Sequence, residues 1–252
     1  MNKLRFYFFH LMPYPHIPPS TEFPSSWVSL SNKHYDPQRG RLLYNEYIEQ
    51  LVAAEKHGFD GVGVNEHHAN FYGTMPSPNI IAAMLVQRTS HIPIGVIGNA
   101  IPLHGNPLRV AEEIAMLDVI SGGRIISGFV RGIGCEYFNN GVTPADSVER
   151  FDEAHDLIIK AWTDDGPFTW QGDHFYVPNA NIIPKPIQQP HPPIWIPGQG
   201  SLETLQFVAR HHYTYMMVFS PLWFTKMAFD GLREECKRLD YEAPKSMFNA
   251  CV

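Results

Sequence analysis

Apolar residues in this chain fall into short dense runs separated by amphipathic stretches. The runs at 4–9, 61–64, 93–99, 125–130, 194–196 and 213–218 are apolar at successive positions, the pattern of strands covered on both faces. Between them, apolar residues recur every three or four positions, which predicts helices. One spans about Tyr44 to His57, with Tyr47, Leu51 and Ala54 on one face. Ser77-Pro78 and Asn106-Pro107 each read as an N-cap followed by the first helical residue. The helices they open carry Ile80, Ile81, Met84 and Leu85, then Val110, Ile114 and Leu117. Gly58 and Ser121-Gly122-Gly123 read as helix ends. Thr143-Pro144 starts a helix with Val148, Phe151, Ile158 and Trp162, and two more cover about 202–210 and 224–239. Strands therefore begin near 61, 93 and 125, a spacing of one βα unit. Such alternation predicts a parallel sheet.

Two segments break the rhythm. Residues 10–42 are rich in Pro, Ser and aromatics without a period, and read as a packed lid loop. Residues 163–193 read as a β-hairpin followed by a proline-rich connector. Met247 to Val252 begins one more strand. A doubly wound sheet and an eight-stranded βα barrel both accommodate this order. Equal spacing, and no G-x-G-x-x-G after the first strand, favour the TIM (β/α)8-type barrel as a single domain over 1–252. Eight complete units do not fit once the lid and hairpin are subtracted. The sequence is therefore expected to stop short of the last strand and closing helices.

Composition narrows the function. Charged residues are 17% and apolar residues 44%, as in a folded domain with a large core, and the net charge of −6 disfavours nucleic acid and anionic membranes as partners. Three dispersed cysteines, with no C-x-x-C, argue against a disulfide framework or structural zinc. No apolar stretch approaches the ~20 residues of a membrane span, and the N-terminal run is too short for a signal-peptide core. A cytoplasmic protein is expected.

The candidate chemistry lies where strands end. Glu66-His67-His68 follow the strand at 61–64, where parallel α/β folds place their reactive groups. Histidines near neutral pKa suit general acid–base work. The same residues also fit a polar capping loop, or two ligands of a metal-dependent hydrolase, although neither H-x-H nor H-E-x-x-H is present. Arg131, followed by Gly132, ends the strand at 125–130 and fits either a phosphate or a surface ion pair. Gly198-Gln199-Gly200-Ser201 joins a strand to a helix N-terminus, which is an anion site or an ordinary capped turn. Gly95, Gly98 and Asn99 end the third strand, where glycines admit either a flat ring or a tightly packed neighbour.

Several segments, in order, resemble the bacterial luciferase-like flavin-dependent monooxygenases. They are Gly58-Phe59-Asp60, Glu66-His67-His68, Pro76-Ser77-Pro78, Arg109-Val110-Ala111-Glu112-Glu113, Met116-Leu117-Asp118 with Ser121-Gly122-Gly123-Arg124, Ala154-His155-Asp156-Leu157-Ile158, and Pro192-Pro193-Ile194-Trp195-Ile196-Pro197-Gly198. The resemblance implies a barrel, a homodimer, and reduced FMN from a separate flavin reductase that is used with O2 to oxygenate a small organic substrate. It implies His67 as catalytic base, aided by Glu66 and His68. It further implies Arg131, Gly132, Gly198, Gly200 and Ser201 around the FMN phosphate, and Gly98 and Asn99 against the flavin ring. The lid, with Phe71-Tyr72, is expected to keep water out. Val130 stands where the luciferase pattern has a reactive cysteine, so Cys135 takes no such role. The alternatives are an F420-dependent oxidoreductase of the same fold and a non-catalytic flavin-binding protein.

Overall fold

Seven apolar runs lie side by side in a single curved parallel sheet. The computed structural model describes residues 4–251, and the strands among them are β1 (Tyr7–Phe9), β2 (Gly61–Val64), β3 (Ile94–Ala100), β4 (Ile125–Val130), β5 (Phe168–Gln171), β6 (Tyr176–Ala180), β7 (Ile194–Gly198), β8 (Thr214–Val218) and β9 (Phe248–Cys251). The main sheet runs β1-β2-β3-β4-β7-β8-β9, each pair parallel. Strands β5 and β6 form the expected antiparallel hairpin, with Trp170 opposite Val177. The helices are α1 (Pro37–Lys56), α2 (Pro78–Arg88), α3 (Leu108–Ser121), α4 (Gly134–Asn140), α5 (Ser147–Thr163), α6 (Leu202–His211) and α7 (Leu222–Arg238). The result is a nearly closed barrel-shaped sheet surrounded by helices, of the TIM-barrel type.

Alternation along the strands sorts side chains into two cores. Val62, Val64, Ile94, Val96, Ile125 and Phe129 point outward and bury against helix residues such as Leu51, Leu85, Ile114 and Leu157. Inside the ring, Ile97, Ile126, Trp195 and Met216 pack with Tyr7 and Val218. Tyr7 of β1 meets Trp195 of β7 edge-on, with ring centroids 5.0 Å apart, so the sheet has curled far enough for distant strands to touch. Glycine makes that possible. A Cβ on Gly61 would lie 2.0 Å from the Tyr7 ring, which fills the space the missing side chain leaves.

Several boundaries differ from the expected ones. Helix α1 starts at Pro37, not near Tyr44, because Asp36 Oδ1 accepts from the Gln38 and Arg39 amides and caps it. Thr143-Pro144 opens a 3-10 turn at Pro144–Asp146, and α5 begins after it. Helix α4 was not expected at all. The residues between β1 and α1 fold into a packed cover with 3-10 turns at Ser20–Glu22 and Asn32–His34. Tyr14 is buried against Phe71, and Trp27 packs on Tyr72. Ile80 and Met84 of the expected α2 stripe face outward, while Ile81 and Leu85 are buried.

Candidate active site

A cavity of about 650 Å³ opens at the C-terminal ends of the strands. Its walls are mostly apolar, including Phe9, Trp27, Ile97, Met216 and Phe219. Its polar groups are few: Asn65, Glu66, His67, Arg131, Glu136 and the turn around Ser201. A largely apolar pocket with a few convergent polar groups is the usual form of a small-molecule site.

His67 enters this cavity from the end of β2. Its Nδ1 lies 2.9 Å from Glu136 Oε1, which leaves Nε2 as the nitrogen for chemistry. Glu136 is 1% exposed and comes from α4, 69 residues later in the chain. The same Oε1 accepts the His68 amide (3.1 Å), and Oε2 accepts the Ile133 amide at the start of α4 (2.8 Å). One carboxylate thus caps a helix and fixes a histidine ring. The left-handed φ of +92° at Gly132 lets the chain turn from β4 into that helix.

The other two members of the motif turn away from this arrangement. His68 does not line the cavity; its Nε2 bonds Glu66 Oε1 at 2.6 Å. That hydrogen bond, outweighing burial, raises the His68 pKa. Glu66 is 4% exposed and its Oε2 accepts the Ala100 amide at 3.0 Å. Burial alone would push its carboxyl up, but the imidazoles of His104 and His68 and the Ala100 amide hold it at about 2. His104 Nε2 stands 3.5 Å from Oε2, at the long limit of a hydrogen bond. A carboxylate held so low carries no proton near neutral pH, and its part is to position His68.

Most of the residues expected to bind an anion line the same cavity. Arg131, Gly132, Gly198 and Ser201 all line the cavity. Ser201 caps α6, its Oγ accepting from Thr204 N at 3.4 Å. Arg131 Nη1 is 3.3 Å from Glu203 Oε2 in the first turn of α6, so the β4 end and the β7–α6 turn are in contact. Gly200 departs from expectation: its amide donates to the Tyr215 hydroxyl at 2.7 Å, and it does not line the cavity. Asp152, also in the wall, has its carboxyl pushed up, by burial first and by the neighbouring Asp156 next.

Asn99 is a correction. Its side chain is 1% exposed and donates to Asn79 Oδ1 of α2 at 3.3 Å, in the outer layer. The β3–β4 register shifts between Val96 and Asn99, which reverses the in–out phase of the strand end. Gly98 does reach the cavity. Its lack of a side chain is nevertheless demanded by its neighbour strand: a Cβ there would sit 2.5 Å from the Gly128 carbonyl carbon.

Several cavity groups carried no sequence expectation, Glu136, Asp152 and Glu203 among them. Asn65 is another: it is 8% exposed, lines the cavity, and its Oδ1 is buried without a hydrogen-bond partner among the described residues. Among those residues no cluster of three or more His, Cys, Asp or Glu is arranged to hold a metal, and no helix is long and apolar enough to cross a membrane.

A family profile for luciferase-like monooxygenases matches residues 24–252, and the chain belongs to that family. The oxygenase component of a flavin-dependent trigonelline monooxygenase from Acinetobacter baylyi is 32% identical over 164 residues, 64% of this chain and 45% of the relative. The chain spans about half the length of the curated relatives it matches. Among solved structures, the oxygenating constituent of 3,6-diketocamphane monooxygenase from Pseudomonas putida, in complex with FMN, superposes with a TM-score of 0.79 at 17% identity. It covers 98% of this chain and 66% of that one. An F420-dependent secondary alcohol dehydrogenase in complex with an F420-acetone adduct superposes with a TM-score of 0.74 at 21% identity, covering 99% of this chain and 68% of its own. These structural likenesses concern the fold.

Proposed function

We propose that this chain is the oxygenase component of a two-component monooxygenase, taking reduced FMN from a separate reductase and using it with O2 on a small organic substrate. The observation that supports the reading is the cavity itself, which His67, Arg131 and the start of α6 line together. The residues present fit a flavin mononucleotide. Arg131, Gly198 and Ser201 offer a guanidinium and a helix N-terminus to a phosphate. The apolar walls suit an aromatic ring, and Asn65 Oδ1 has an acceptor to spare.

Bound reduced FMN supplies the electrons that activate O2 for insertion of one oxygen atom into the substrate. The chain's own groups do the rest. Glu136 holds His67 Nδ1, so Nε2 takes up or returns a proton within the cavity. Trp27, Tyr72 and Phe219 exclude water from the space above it. The relative that acts on trigonelline is a flavin-dependent enzyme, which supports this reading over F420. A homodimer is proposed with it.

Titration of the purified protein with FMN, riboflavin and F420 tests the proposal. FMN is expected to bind, and Arg131→Ala to weaken FMN by about tenfold or more while leaving riboflavin unchanged. Binding of F420 alone would overturn the choice of cofactor. With reductase and substrate, His67→Ala is expected to lower coupled oxygen consumption by about 10²-fold.

A further inference from the structure

The scheme above leaves the spare acceptor of Asn65 without an assigned partner. A buried carboxamide oxygen left without a donor is costly, and native structures rarely keep one without a use. Asn65 keeps one at 8% exposure, in the wall of the cavity that His67 enters, next in sequence to Glu66 and His67. The backbone does not force this. Asn65 immediately follows β2, whose inward positions Gly61 and Gly63 are occupied by the rings of Tyr7 and Phe9 and by Ile97. Asn65 is the next inward position after them, and its side chain lines the cavity.

We infer that Asn65 Oδ1 is the acceptor for the imide N–H of the bound flavin's pyrimidine ring. The inference rests on the flavin reading above and extends it to a residue that fixes the ring's orientation. The sheet order supports the assignment. Asn65 stands at the end of β2 and Arg131 at the end of β4, two strands away and thus about 10 Å along the sheet. A ligand with a hydrogen-bond donor at one end and an anion at the other fits between them. A flavin mononucleotide has that shape: the imide lies at one edge of the ring system and the phosphate terminates the ribityl chain. An apolar substrate lying deeper in the cavity has no such donor to offer.

The test compares wild type with Asn65→Ala, using oxidised FMN and FMN methylated at the imide nitrogen as probes. Three results are expected. Unliganded Asn65→Ala melts at the wild-type temperature or above it, because no protein hydrogen bond to Oδ1 is lost. It binds FMN about five- to tenfold more weakly, the worth of one buried hydrogen bond. The methylated flavin binds wild type more weakly than FMN does, while Asn65→Ala binds the two alike. The wild-type arm needs no variant to fold. A lowered melting temperature of the unliganded variant would show a structural role and overturn the inference. Equal FMN affinity in the two proteins would overturn it while leaving the flavin reading standing. Failure of both proteins to bind FMN would remove the flavin reading and this inference together.

Discussion

The two histidines after β2 have opposite assignments because each has its own buried carboxylate. Glu136 serves His67 and Glu66 serves His68. Glu136→Gln removes the negative charge beside His67 Nδ1 and replaces one of two accepting oxygens by an NH2, which then faces either the Ile133 amide or the His67 and His68 N–H groups. Turnover is expected to fall by about 10²-fold or more with FMN affinity unchanged, measured by single-turnover kinetics and titration. Glu66 gives a pH signature. Its carboxyl is held at about 2, below its ordinary 4.5. The stability it contributes is therefore complete above about 4.5 and is lost as pH falls through about 2. Glu66→Gln should cost on the order of 3 kcal/mol at neutral pH, the gap narrowing toward zero between those two values in acid. Urea midpoints measured across that range would show it; a pH-independent gap would rule it out. The position of Glu66-His67-His68 at a strand end was legible in the sequence, because a strand end is visible locally. Glu136 was not, since its contact spans 69 residues. The only trace was a glutamate three residues after Ile133, the capping-box position of a short helix.

At the scale of elements, strands and long helices could be read from periodicity, whereas α4 has seven residues and begins with Gly134, too little for a period to show. The early start of α1 was hidden because Gln38, Arg39, Gly40 and Arg41 lack an apolar rhythm; the Asp36-Pro37 cap was the available signal. Asn99 was misread for a different reason. Alternation along β3 would have pointed it inward, and the register shift turned it out. That shift coincides with the close approach of β3 and β4. A Cβ on Gly128 would fall 2.6 Å from the Val96 carbonyl oxygen and 2.8 Å from Ile97 Cα, and backbone cannot step aside cheaply. Gly128→Ala is expected to destabilise by about 1–3 kcal/mol. Gly105→Ala, with nothing within 4 Å, should stay within about 0.5 kcal/mol. Equal melting temperatures for the two variants would contradict this account of the strand pair.

For the whole molecule, the outer surface of adjacent α2 and α3 carries Ile80, Met84, Met116 and Ile120, all more than two-fifths exposed. Each helix presents its pair at i and i+4, so the four side chains extend one apolar stripe toward solvent. The proposed homodimer uses this surface. Light scattering should give twice the chain mass, and Met84→Glu with Ile120→Glu should give a single chain that still binds FMN; an unchanged mass would place the dimer contact elsewhere. The chain has a net charge of −6, and even the wall proposed to hold a phosphate is not bare of carboxylates, since Glu203 already touches Arg131. Capturing an anion at that wall is an exchange of partners, not the filling of a vacancy. The net gain is the difference between two ion pairs, and the displaced carboxylate stays close enough to reclaim its arginine. A grip of that kind lets go readily, as suits a visitor handed from one protein to another more than a permanent resident.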